Sequence, residues 1–137
     1  VHAVSLSGAN ATRTWYDSAS MTVKYTDGSV ATILFAANGD TSFPKEYLEM
    51  HRADSSAVLH NYRKLTGKGP QGRLRKSAFS QQKGFVEEAA AFRVGCTIGK
   101  SPTPIAELST VTRLTFAAME SLRTGEPVLL ETPECAG

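Results

Sequence analysis

Cysteine is nearly absent: Cys96 and Cys135 are the only two in 137 residues, and neither has a second Cys or a His at ligand spacing. A disulfide framework and a zinc motif are therefore not indicated, and both read as plain thiols. Long apolar runs are missing too. The longest uncharged one, "VATILFAA" from Val30 to Ala37, is far below the roughly 20 residues of a membrane helix. The N-terminus lacks the order of a signal peptide. The resulting expectation is a cytoplasmic protein with no membrane partner. No charge of one sign dominates, since 15 Lys and Arg stand against 13 Asp and Glu for a net charge of +2. Charge alone thus names no polyanionic partner, and nucleic acid is not expected.

What is present fits one globular domain, residues 1–137, with 41% hydrophobic and 20% charged residues. The chain begins at Val1 with "VHAVSLS", which alternates like the middle of a fold. The reading is a piece of a longer protein, with its chemistry in the other part.

The first half is strand-like and the second helical, which predicts an α+β fold: an open-faced, mostly antiparallel sheet with helices packed on one face. "VHAVSLS" is the first strand and "GANATR" a loop. Ala19 to Thr26 and Ser29 to Ala37 form a hairpin on Asp27-Gly28, because those residues tolerate the positive φ of a tight turn. Lys45 to Arg52 and Ser56 to Leu65 continue a meander, with a turn at Asp54-Ser55. Gly67 to Gly72 read as a flexible loop and "RLRKSAF" as an edge strand. Ser80 is placed as the cap of a helix from Gln81 to about Gly95, with Phe85, Ala89, Phe92 and Cys96 facing the core. After "KSPTP" a longer helix runs to Thr124, with Leu108, Val111, Leu114, Ala118 and Leu122 as its stripe and Gly125 then Pro127 as its stop. "PVLLE" adds a strand or lies against the helices.

A two-residue Asp27-Gly28 turn sets Tyr25 opposite Val30, Val23 opposite Thr32 and Met21 opposite Leu34 on the core side. The outer side then carries Ala31, Ile33 and Phe35 against Lys24, Thr22 and Ser20, with Tyr47 and His51 joining from the next strand and Leu48 and Met50 pointing to the helices. So apolar an outer face, carrying Ile33, Phe35, Ala31, Thr22, Tyr47 and His51, predicts a cover: a partner subunit, a ligand or a neighbouring domain. Scattered exposed apolar residues are the plain alternative.

Chemistry is hard to find. His2, His51 and His60 lie far apart, with no Cys, Asp or Glu at triad or metal spacing, and each reads as a strand residue. "GKGPQG" lacks the Lys-Ser/Thr ending of a phosphate loop. Arg63 to Lys76 hold six cations and no acid, fitting a solvated hairpin or a contact to a phosphorylated sugar or cofactor phosphate. No aromatics follow Tyr62 in that segment, so nucleic-acid stacking is unsupported. Trp15, Tyr16 and Asp17 suit a sugar-binding wall or ordinary packing.

The motifs "DGSVATILFAANG", "FPKEYLEM", "NYRKL", "QQKGFVEEAAAF", "SPTPIAEL" and "FAAMESLRTGEPVLL" follow one another in this order. From about Asp17 to Leu130 the chain resembles the C-terminal domain of the Gfo/Idh/MocA oxidoreductases, most of all the bi-domain type fused to a zinc-type alcohol dehydrogenase module. The resemblance implies an NAD(P)-dependent dehydrogenase acting on a sugar or sugar derivative. Its Rossmann domain would lie upstream of Val1, and this chain would serve substrate binding and homo-oligomer contact through the open sheet face. The family's Glu-Lys-Pro lysine, glycine-rich loop and substrate-orienting helix have no counterpart here, so the chain alone is expected to bind no cofactor or metal and to be inactive. Lys45, near the end of "NGDTSF", and Lys83, in "QQKGF", are the substrate-binding lysines the resemblance implies, with Tyr16 and Asp17 beside them. The alternative is a ligand-binding or protein-interaction module that uses the open face or residues 63–76.

Overall fold

The structure, a computed structural model, describes residues 1–6, 18–37 and 39–130. It is an α+β fold of two antiparallel sheets and two helices. Its contacts divide into two compact units, residues 1–39 with 101–137 and residues 40–100.

In the first unit β1 (His2–Ser5), β2 (Ser18–Lys24) and β3 (Val30–Ala36) form a three-stranded sheet in chain order. The β2–β3 loop differs from the expected two-residue turn. The Gly28 N–H donates to the Tyr25 carbonyl at 3.1 Å and the Tyr25 N–H to the Ser29 carbonyl at 2.9 Å, so three residues, Thr26, Asp27 and Gly28, make the loop. Gly28 takes φ +87°, the left-handed position such a loop requires of its last residue. The Asp27 carboxylate accepts from the Ser29 N–H at 2.9 Å and the Ser29 hydroxyl at 2.6 Å, and the hydroxyl bond is the main reason its pKa lies below the ordinary Asp value.

One extra loop residue shifts the whole register by one. Met21 pairs with Ile33, Val23 with Ala31 and Ala19 with Phe35, while Thr22 pairs with Thr32. Directly opposed residues share a face, so Ala31, Ile33 and Phe35 lie with the buried Ala3, Ala19 and Val23. The expected outer face is corrected: Thr22 is on the side opposite Ile33 and Phe35, together with His2, Lys24 and Thr32.

The long helix runs Ile105–Thr124 and ends at Gly125 with φ +75°, as Gly125 and Pro127 led one to expect. It lies against β1. Its buried positions are Ala117, Ala118 and Ser121, with Leu114 and Leu122 half-buried, whereas Leu108 and Val111 of the expected stripe are exposed. Small side chains here let the helix approach the strand closely. Ser121, fully buried, accepts from the Ala3 N–H at 2.9 Å and donates to the Glu126 carbonyl at 2.7 Å. Val1 and Val128 exchange two further backbone bonds of 2.7 Å, so the segment after the helix pairs with the chain start without forming a strand.

The second unit holds a meander of β4 (Tyr47–Arg52), β5 (Ser55–His60), β6 (Lys64–Gly69) and β7 (Gly72–Ser77). Its other element is a helix over Phe85–Ile98. In chain order the Phe85–Ile98 helix is α1 and the Ile105–Thr124 helix is α2, and those labels are used from here. Strand β4 pairs with β5 and not with the first sheet, so Tyr47 and His51 do not extend the face of Ile33. The β4–β5 turn is Ala53-Asp54, both at positive φ, one residue earlier than expected. The expected strand Ser56 to Leu65 is broken at Asn61 and Tyr62, also at positive φ. The expected loop Gly67 to Gly72 is mostly hairpin, turning on Pro70 and Gln71 with Gly69 opposite Gly72. Ser80 does not cap α1. Gly84, at φ +78°, precedes its first turn, and residues 78–82 are held to the β5–β6 turn by Ala78 N–H to Arg63 O at 2.8 Å and Gln82 N–H to Tyr62 O at 2.8 Å. Phe85, Ala89, Phe92 and Cys96 are exposed, so that face of α1 is not core; Gly95 is its only buried position.

Ser121→Ala leaves the buried Ala3 N–H without its acceptor. We expect a loss of about 1–3 kcal/mol in urea unfolding, whereas the exposed Ser109→Ala on the same helix changes little. An unchanged midpoint for Ser121→Ala would show that the bridge contributes nothing.

Candidate functional site

Register sorts the second sheet into two chemically different faces. One carries Leu48 and Met50 of β4, Ala57 and Leu59 of β5, Leu65 and Gly67 of β6, and Leu74 of β7. It is apolar and open: Leu48 is 56% exposed, Met50 60% and Leu74 42%. Leu48 and Met50, expected to point to the helices, lie together on this face but are exposed, and among the described residues of this unit no side chain on it is buried. At its β4–β5 turn end a concave groove of about 650 Å³ has a floor of Ala57, Gly67 and Gly69 between Met50 and Leu74, with Arg52 at its rim. Glycine is required on that floor by close strand approach. A Cβ on Gly67 would stand 2.9 Å from the Ser56 carbonyl, and one on Gly69 would collide with the Ser55 hydroxyl.

The other face is polar. Its rows across β4 to β7 are Tyr47, His60, Lys64 and Ser77; Glu49, Val58, Thr66 and Arg75; and His51, Ser56, Lys68 and Arg73. On β4 and β5 the side chains form one hydrogen-bonded chain. The Tyr47 hydroxyl donates to Glu49 Oε2 at 2.8 Å, Glu49 Oε1 lies 3.0 Å from His51 Nε2, and His51 Nδ1 lies 2.8 Å from Ser56 Oγ. Tyr47 and His60 meet edge to face, with ring centroids 5.0 Å apart. The Tyr47 hydroxyl, and secondarily His51, hold the Glu49 carboxyl below the ordinary Glu value, and the same Glu49 bond pushes the Tyr47 phenol above its ordinary value.

Serine, imidazole and carboxylate here follow the order of a nucleophile, base and orienting acid. The setting lacks the rest of such a site. Ser56 is the second residue of β5, flanked by β4 and β6, where backbone N–H groups belong to the ladder and do not converge as an oxyanion hole. His51 and Glu49 side chains are 66% and 44% exposed, so water competes for every bond. The Tyr47–Glu49–His51–Ser56 arrangement is a surface hydrogen-bond chain and lacks the geometry of acyl transfer.

The sequence-derived site residues do not converge. Lys45, before β4, and Lys83, before α1, are both exposed, and no hydrogen bond or ion pair joins them to each other. Tyr16 and Asp17 lie outside the described residues, as do Trp15 and Cys135. Among the described residues no group of three His, Cys, Asp or Glu is placed to hold a metal ion, and no helix is long and apolar enough to cross a membrane. The histidines are strand residues, as expected, but His51 and His60 share a face. The missed signal is Glu49 and His51 two apart on one strand: with the turn at Ala53-Asp54, Ser56 falls opposite His51, and with a turn one residue later it does not. No protein family, characterised protein or solved structure compared with the chain matches it.

Two outcomes check this geometry. In an NMR titration Glu49 should lose its charge at a pH below that of a free Glu, and Tyr47→Phe should move the midpoint upward; because the Glu49 pKa is depressed, the bonds are present at neutral pH and are lost as pH falls through that lowered midpoint. An unshifted midpoint in Tyr47→Phe would remove the Tyr47 bond from the account. Gly67→Val should destabilise by about 1–3 kcal/mol through overpacking, read from thermal unfolding.

Proposed function

We propose that this chain is the substrate-binding and assembly domain of an NAD(P)-dependent oxidoreductase acting on a sugar or sugar derivative, of the Gfo/Idh/MocA C-terminal type. The order of motifs from "FPKEYLEM" to "FAAMESLRTGEPVLL" supports the family. The observation that carries the assembly role is the open apolar face of Leu48, Met50, Leu59, Leu65 and Leu74. Among the described residues the buried apolar side chains are Ala3, Ala19, Val23, Ala117 and Ala118, all in the first unit. These buried side chains are few and small, and each methylene-sized group taken from water contributes about 0.8 kcal/mol. Further apolar burial is needed, and covering the second sheet with another copy of the chain provides it.

In this reading the nucleotide is held by a Rossmann domain outside this sequence, hydride transfer takes place there, and the assembled protein is a cytoplasmic homo-oligomer. Lys45 and Lys83, with Tyr16 and Asp17, are the substrate-facing candidates. The chain alone binds no NAD(P) and transfers no hydride.

Sedimentation velocity tests the assembly. The wild-type chain should sediment as a dimer or larger species, and Leu48→Asp with Met50→Asp should convert it to monomer while circular dichroism keeps its strand signal. A wild-type monomer at every concentration up to the millimolar range would contradict the reading.

A further inference from the structure

From Ser55 to Val86 the chain carries Arg63, Lys64, Lys68, Arg73, Arg75, Lys76 and Lys83 and no acidic residue. Folding concentrates this charge. Lys64, Lys68, Arg73 and Arg75 all project from the polar face of the second sheet, and Lys76 from the apolar one. Lys68 and Arg73 are directly opposed across β6 and β7, a like-charge pairing that destabilises a sheet. None of the four takes part in an ion pair among the described residues. The carboxylate of that face, Glu49, is occupied by Tyr47 and His51.

Neighbouring strands lie roughly 5 Å apart and alternate residues on one strand roughly 7 Å apart. Lys68, Arg73 and Arg75 therefore form a tight triangle of charge, with the hydroxyl of Ser56 next to Lys68 in the same row. Two guanidinium groups offer forked donors that match phosphate oxygens, and Lys68 adds a point charge. We infer that this face binds a phosphorylated small molecule through a diphosphate group, with Lys68, Arg73 and Arg75 neutralising it and the Ser56 hydroxyl, next to Lys68 in its row, as the nearest neutral hydrogen-bonding group. The repulsion between Lys68 and Arg73 is relieved when the anion is bound. A single small anion fits better than a polynucleotide, because three of the four cations on this face gather at one corner, with Lys64 at the far end of β6, and Tyr47 and His60 pack edge to face with each other and offer no open row of rings for successive bases. The inference stands apart from the oxidoreductase reading and does not need it.

Calorimetric titration of the chain with inorganic pyrophosphate at low salt tests it, with sulfate and a single-stranded oligonucleotide as comparison ligands. Saturable binding of pyrophosphate is expected, at least tenfold weaker in Lys68→Gln and in Arg73→Gln and within twofold of wild type in Lys76→Gln. The last variant removes the same charge from the opposite face. The site is overturned if pyrophosphate does not bind, if Lys76→Gln weakens binding as much as Lys68→Gln, or if only the oligonucleotide binds.

Discussion

Strand side chains alternate with a period of two, so the number of residues in each turn decides which face all later side chains of a hairpin occupy. Two turns set this pattern here. The three-residue loop Thr26-Asp27-Gly28 puts Ala31, Ile33 and Phe35 on the face of Ala3, Ala19 and Val23. The Ala53-Asp54 turn puts Ser56 opposite His51 and Ala57 opposite Met50. The hydrogen-bonded chain follows from the second count, whereas the groove and the cationic corner depend also on the Pro70-Gln71 turn, which sets Gly67 opposite Leu74 and Lys68 opposite Arg73.

Within the first unit, register alone does not hold β1 in place. The strand is an edge, and the Ser121 hydroxyl supplies the Ala3 N–H with an acceptor that no fourth strand provides. The same hydroxyl ties down the chain after α2 through Glu126. Alanines at 117 and 118 make the approach possible, so the helix is fixed by small residues and one hydroxyl more than by its large apolar ones.

Much of the architecture could be read from sequence. The α+β class, the antiparallel pairing, the Asp27-Gly28 hairpin and the helix ending at Gly125 all rest on local signals that tertiary context leaves alone. Faces and caps could not be read as well, because they depend on single-residue counts. Asp-Gly serves two-residue and three-residue loops equally, and the choice moves Ile33 across the sheet. Positive φ at Ala53 and Tyr62 has no side-chain signature, so both turns of the meander were placed late or missed. The helical spacing of Phe85, Ala89 and Phe92 marks an apolar face but does not say what covers it. Function was the least legible, since the residues that meet on the polar face come from four strands.

We propose that the second sheet sorts its side chains into a cationic face open to ligand and an apolar face covered by another copy. Hydroxyl-radical footprinting across a dilution series tests that most directly, with Met50 on the apolar face and Met119, 44% exposed on α2, as reference. The account predicts that Met50 is protected at high protein concentration and becomes reactive on dilution while Met119 stays constant. Equal labelling of Met50 at every concentration would contradict it.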